Sequence, residues 1–288
     1  MSNRSWLLFL ALGFIWGMPY LLIRVAVESL DPLMVAFGRT LIGSMLLIPI
    51  ALYRDALAPV FKRWKWLVAF TLVEISGPWL LLGHAETRLN SSTTGVLIAM
   101  APMMAAVLVT VLGHERLGAR RIGGLAMGFI GVATLVGLDI HFDDLVAVGA
   151  LVLASVGYAV GPVILDRKLK GLPSLGVVTA SIALAFVIYL PFVPGVWPSR
   201  FDSAAVASVA GLGVFCTAAA FLIFFALIAD VGPARATVVA YVNPLVAVAL
   251  GVLFLREPLT LGMAIGFPLV VAGSILATSP SRASGTRG

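Results

Sequence analysis

The sequence predicts an all-α integral membrane protein: ten transmembrane helices arranged as two inverted five-helix repeats. Three observations carry this. Of 288 residues, 61% are hydrophobic and only 11% are charged, less than half the roughly one-quarter charged share of ordinary soluble domains. Ten apolar runs are long enough to cross a bilayer core, which takes about 20 helical residues. The two halves also superimpose on one another. A chain this poor in charge cannot cover a water-facing surface, so a soluble enzyme, a nucleic-acid binder and a disordered scaffold are all excluded.

In order, the runs cover residues 6–27, 33–53, 66–86, 91–112, 119–137, 145–164, 175–193, 204–228, 236–255 and 259–277. They are continuous, not alternating strips of about ten residues, which favours helices over a β-barrel. The longest connection, residues 54–65, has room for a surface helix and nothing larger. The first run follows a single charge, Arg4, exceeds the apolar region of a signal peptide and lacks a clear cleavage site, so it reads as a retained helix. Cys216, the single cysteine, has no partner for a disulfide or a thiolate metal site within one chain and reads as a small packing residue.

Charge sets the expected orientation. Fourteen of the 19 basic residues fall on the side of the N-terminus: Arg4, Arg54, Lys62, Arg63, Lys65, Arg116, Arg120, Arg121, Arg167, Lys168, Lys170, Arg235, Arg282 and Arg287. Arg24, Arg88, Arg200 and Arg256 lie opposite, and Arg39 is inside a helix. Basic loops resist translocation, so both termini are expected in the cytoplasm of a bacterial-type inner membrane. The net charge of +6 is then a topology signal, with no nucleic-acid partner implied.

Sliding the chain by 142 residues places Val96, Pro102, Ala105, Leu108, Glu115, Leu117, Gly124 and Gly131 on Val238, Pro244, Ala247, Leu250, Glu257, Leu259, Gly266 and Gly273. A shift of 144 places Gly13 and Gly17 on Gly157 and Gly161. With Gly124/Gly128 and Gly262/Gly266, these give each half small-residue faces that let helix backbones approach. Five spans is an odd number, so residues 141–288 enter the membrane opposite to residues 1–140. Such inverted repeats suit alternating access to a midplane site.

These residues also carry a resemblance. Phe14-Ile15-Trp16-Gly17, Phe37-Gly38-Arg39, Pro102 with His114-Glu115-Arg116-Leu117, and Pro244 with Arg256-Glu257-Pro258-Leu259 resemble the EamA-type transporters of the drug/metabolite transporter superfamily over essentially the whole chain. His114 and Arg256 depart from it, standing where that family usually has a small or apolar residue. Within the superfamily the sequence is most similar to the YddG-type exporters of amino acids, especially aromatic and other hydrophobic ones. The resemblance implies ten spans, cytoplasmic termini and a central cavity lined by spans one, three, four, six, eight and nine.

Candidate site residues follow. Pro19, Pro78, Pro102, Pro162 and Pro244 would free the carbonyls of Ile15, Glu74, Ile98, Tyr158 and Ala240, because a helix-interior proline removes one hydrogen bond. At membrane depth those carbonyls need another partner or a wet cavity. Trp16, Tyr20, Trp79, Met100, Tyr158, Tyr241 and Asn243 are the expected substrate-binding set: an apolar aromatic pocket with a few polar tips. The same residues could equally be packing, and Tyr189 reads as an interface anchor.

Arg39, Glu74 and His84 are the intramembrane charges, rare and usually functional. Glu86 stands near enough to a helix end to snorkel. Arg39 and Glu74 are expected either to join a buried network between spans two and three, or to leave Glu74 as a cavity carboxylate for a proton or a substrate ammonium. Glu115 and Glu257 read as helix-end caps.

The chain is therefore expected to be a secondary transporter exporting hydrophobic amino acids or similar metabolites, with another small metabolite or a drug as the alternative cargo. It carries no Walker motif, and His84, His114 and His141 are scattered without a His-Glu-x-x-His, which argues against an ATP-driven pump and a membrane enzyme. No cofactor and no metal are expected. The expected partners are a small-molecule substrate and membrane lipids, with the chain acting as a monomer.

Overall fold

A computed structural model of the protein describes residues 2–112 and 118–279, the side chains of 233 and 234 excepted. Ten helices are long and apolar enough to cross a membrane: α1 Asn3–Val27, α2 Pro32–Tyr53, α3 Trp64–Glu86, α4 Ser91–Val111, α5 Ala119–Asp139, α6 Phe142–Lys168, α7 Ser174–Val196, α8 Ser203–Val231, α9 Thr237–Leu255 and α10 Leu261–Thr278. Their ends agree with the apolar runs to within four residues. The starts are chemically marked. Ser2, Asp31, Asn90, Asp202 and Thr260 each accept a hydrogen bond from a backbone N–H of the first turn that follows, satisfying donors that a helix start leaves open. The 54–65 connection holds one short helix, Ala58–Phe61. Leu7, Met45, Val187, Leu253 and Phe254 are each more than half exposed on the outside of the bundle, an apolar surface suited to lipid.

Glycine faces join the helices as the sequence predicts, but not always symmetrically. A Cβ on Gly124 would fall 2.5 Å from the Ala277 nitrogen, one on Gly131 would fall 2.8 Å from the Gly266 carbonyl, and one on Gly273 would collide with the Gly128 backbone. Helices α5 and α10 thus meet backbone to backbone. Gly13 and Gly17 receive Val242 and Val246 of α9, whereas Gly157 and Gly161 receive Val73, Pro78 and Glu74 of α3.

Four interruptions come in repeat-related pairs. Helix α4 breaks at Ala99–Met100 before Pro102, and α9 begins as a 3₁₀ turn, Thr237–Tyr241, before Pro244. Helix α3 contains a π-helical turn, Thr71–Ser76, and α8 contains another, Val214–Ala219. Their starts differ by 143 positions (214 − 71), close to the repeat offset. Pro78 follows the first; the second has no proline to announce it. Pro19 and Pro162 sit inside continuous α-helix, so they do not break the helix as Pro102 and Pro244 do.

With ten spans, both ends of the described chain reach the same side, here called the terminal face. On the opposite face the first half of α4 packs against the second half of α9. On the terminal face the second half of α4, Ala101–Val111, turns toward α6 and α10 instead.

Candidate functional site

Arg39 is the centre of the buried polar structure. An ionised side chain at membrane depth costs about 2.5–3.5 kcal/mol on insertion scales, so it must find partners, and it finds them on α8. Its Nε donates to Thr217 Oγ1 at 2.9 Å and its Nη2 to the Cys216 carbonyl at 3.3 Å. Both acceptors lie in the π-helical turn, where the backbone register shifts. Thr217 is itself oriented by donating to the Leu212 carbonyl at 2.8 Å. The guanidinium lies 3.6 Å above the Trp79 ring centroid, adding a cation–π contact.

The other π-helical turn is held the same way by the other half of the repeat. Tyr189 of α7 is buried and donates from its hydroxyl to the Ser76 carbonyl of α3 at 2.6 Å. A side chain of α2 therefore binds the irregular turn of α8, and a side chain of α7, its repeat counterpart, binds that of α3. This corrects the reading of Tyr189 as an interface anchor.

The sequence left open a direct link between Arg39 and Glu74, and the two form no ion pair with each other. Arg39 crosses to α8, while Glu74 is laid by its π-helical turn over Gly161 of α6, where a Cβ would overlap its carboxylate. Glu74 Oε2 is buried without a hydrogen-bond partner among the described residues. Tyr20, Tyr158 and Tyr189 lie within electrostatic range of the guanidinium, and Tyr158 also within range of Glu74. Tyr20, Trp79 and Met100 are buried in one core cluster, with Tyr158 packed against it. The Asn243 side-chain oxygen is buried at the start of the α-helical part of α9, with no hydrogen-bond partner among the described residues.

The remaining candidates go elsewhere. Trp16 packs against Phe221 and Phe224 of α8, with ring centroids at 5.9 and 4.9 Å, in a separate cluster from Tyr20. The Tyr241 hydroxyl bonds to that of Thr278 on α10, drawn outward by the 3₁₀ turn. His84 is exposed. Pro162 lines a cavity of about 280 Å³ between α4 and α6, with Ala105, Val109 and Ala159 among its walls. Glu86 does not snorkel: it is fully buried, and Arg24 donates to its backbone carbonyl at 2.5 Å.

Glu257 caps a helix, but across the repeat. One carboxylate oxygen accepts from the Ser91 N–H at 2.8 Å and the Ser91 hydroxyl at 2.9 Å; the other accepts from the Ser92 N–H at 2.9 Å and the Ser92 hydroxyl. Arg256, in the left-handed region at φ 55°, turns the chain back to aim it. Gly251 leaves the room, since a Cβ there would strike both Glu257 and the serine hydroxyls. Glu115, the repeat equivalent of Glu257, and His114 lie outside the described residues.

The comparisons agree with this architecture. The sequence model of the EamA-like transporter family matches twice, over residues 3–137 and 145–279. The chain is 27% identical to the uncharacterized transporter YvbV of Bacillus subtilis, covering 98% of this chain and 94% of that one. It is also 27% identical to the uncharacterized inner membrane transporter YedA of Escherichia coli K12, covering 84% and 79%. A solved crystal structure shares the fold at TM-score 0.67 and 19% identity, covering 96% of this chain and 97% of its own. Ten membrane-length helices and a family match in each half lead to one conclusion: the chain belongs to the EamA-like transporter family and is a membrane transporter.

Proposed function

We propose that the protein is a secondary transporter that exports hydrophobic and aromatic amino acids across the inner membrane by alternating access, with its termini in the cytoplasm. The observation that carries the substrate class is the separation of Arg39 from Glu74. Both are held in the same core by different helices, and neither neutralises the other. Two of the five N–H donors of Arg39 are used among the described residues, which leaves donors for a substrate carboxylate. Glu74 offers an acceptor for a substrate ammonium. Trp79, Tyr158, Tyr20 and Met100 supply the apolar and aromatic body between them.

Alternating access is supported by the unequal donors that the sequence supplies at the two faces. On the opposite face Glu257 ties α9 to α4 through four donors. The repeat offset puts Pro233 and Ala234 in the places of Ser91 and Ser92 (91 + 142 and 92 + 142). Proline has no N–H and alanine no hydroxyl, so the same lock built from Glu115 on the terminal face would have one donor instead of four. The chain thus favours a form closed on the opposite face and open toward the terminal face, as an exporter loading from the cytoplasm requires.

Equilibrium binding to the purified protein tests this reading. Labelled phenylalanine and leucine are expected to bind saturably. Phenethylamine, lacking the carboxylate, and phenylpropionate, lacking the ammonium, are each expected to compete at least about tenfold more weakly, the loss of one charge-assisted contact. Equal competition by all three would remove the amino-acid assignment and leave another small metabolite as the cargo.

A further inference from the structure

We propose that a cleft on the terminal-face edge between α3 and α6 holds the headgroup of an anionic phospholipid. The cleft measures about 550 Å³ and is lined by Lys62, Arg63, Trp64, Lys65, Trp66, Arg167 and Lys168. Its place in the fold is the first argument: α3 begins at Trp64 and α6 ends at Lys168, so it lies where two spans leave the membrane. Trp64 and Trp66 are 57% and 42% exposed, and exposed tryptophans at a span end mark headgroup depth.

The chemistry is the second argument. The Lys168 ammonium sits 4.8 Å from the Trp66 ring centroid, and that of Lys65 sits 5.8 Å from the Trp64 ring. Each lysine is therefore steadied on an aromatic face without being neutralised. Lys62, Lys65 and Lys168 form no ion pair with a described acid. The nearby carboxylate of Asp166 is taken by Lys170 at 3.8 Å. The third argument is that the site is preformed. Arg63 donates to the Lys168 and Lys170 carbonyls at 2.7 and 3.2 Å, fastening the loop before α3 to the turn after α6. Clustered cations with interfacial tryptophans match a headgroup phosphate whose acyl chains continue along the bundle. A free anion would meet the cations alone and place no acyl chain beside the exposed faces of the rings.

Native mass spectrometry of the delipidated, detergent-purified protein tests the site, with added phosphatidylglycerol, phosphatidylethanolamine and inorganic phosphate as the probes. Phosphatidylglycerol is expected to be retained about tenfold better than phosphatidylethanolamine. The preference should vanish in Lys62→Gln/Lys65→Gln/Lys168→Gln and survive both in the corresponding arginine variant and in Arg200→Gln. Should the triple glutamine variant not fold, Lys65→Gln/Lys168→Gln carries the same comparison. Bromine-labelled phosphatidylglycerol is expected to quench tryptophan fluorescence, and the quenching should fall in Trp64→Phe/Trp66→Phe. Equal retention of both lipids, or a preference unchanged in the glutamine variants, would overturn the proposal. Displacement by millimolar phosphate would instead assign the cleft to a soluble anion.

Discussion

Glu257 at the end of α9 and Ser91 at the start of α4, 166 positions apart, are joined by two hydrogen bonds to one carboxylate oxygen, at 2.8 and 2.9 Å. With the matching pair from Ser92, the carboxylate closes the N-terminus of a helix from the other half of the repeat, where backbone donors and the helix dipole both favour an anion. Hydrogen bonds to a charged group are worth about 1.5–3 kcal/mol each. Glu257→Gln is therefore expected to shift the conformational balance by at least about 2 kcal/mol, roughly thirtyfold, toward opening on that face. Spin labels at Arg88 and Leu259, both exposed, with the buried Cys216 replaced by alanine, should report a new long-distance population. An unchanged distance distribution would mean that the carboxylate locks nothing.

The converse substitution should push the same equilibrium. Pro233→Ser/Ala234→Ser gives the segment just before α9 the donors that the start of α4 already has. The same label pair should then show a larger open population on the opposite face, and labels at exposed terminal-face sites should draw together. Identical distances in both positions would show that donor number does not set the resting state.

Arg39 separates folding from binding. Arg39→Lys keeps the charge but loses the planar fork that reaches Thr217 and Cys216 while lying over Trp79. About 1–3 kcal/mol of stability should be lost, since buried acceptors are left unpaired, and phenylalanine affinity should fall at least tenfold. Thermal unfolding and binding measured on one preparation check both. Full affinity in the folded lysine variant would place the carboxylate elsewhere.

Glu74 behaves differently, because its Oε2 has no hydrogen bond to lose. Glu74→Gln should unfold within about 0.5 kcal/mol of the wild type, as a substitution that removes no contact does, yet bind amino acids at least tenfold more weakly. Gly161→Ala should destabilise by about 1–3 kcal/mol through overpacking against the Glu74 carboxylate. Adding Glu74→Ala should recover much of that, a non-additive pair expected of side chains in contact. Strict additivity would separate the two residues.

The fold was legible because lipid imposes it: every backbone group at depth must be satisfied within the helix, so apolar length alone locates the spans. Pro102 and Pro244 announced the broken helices, and the matched glycines announced the α5–α10 contact. The π-helical turn of α8 was not legible, since Val214–Ala219 contains no proline and no charge. Without it, nothing directs Arg39 to a helix 177 positions away. Tyr189 misled by lying near a span end while its ring turned inward, and Trp16 by sharing a helix face with Tyr20 although two phenylalanines of α8 hold it apart. The polar contacts of the site join distant helices, and helical periodicity carries no information about which distant helix a side chain meets.

Counterflow tests the central claim most directly. Proteoliposomes loaded with unlabelled phenylalanine and diluted into trace labelled phenylalanine should accumulate label transiently, because a carrier that alternates between two faces exchanges substrate without net flux. The overshoot should be weakened in Glu257→Gln and absent in Arg39→Gln. No counterflow of any hydrophobic amino acid by folded, inserted protein would contradict the account.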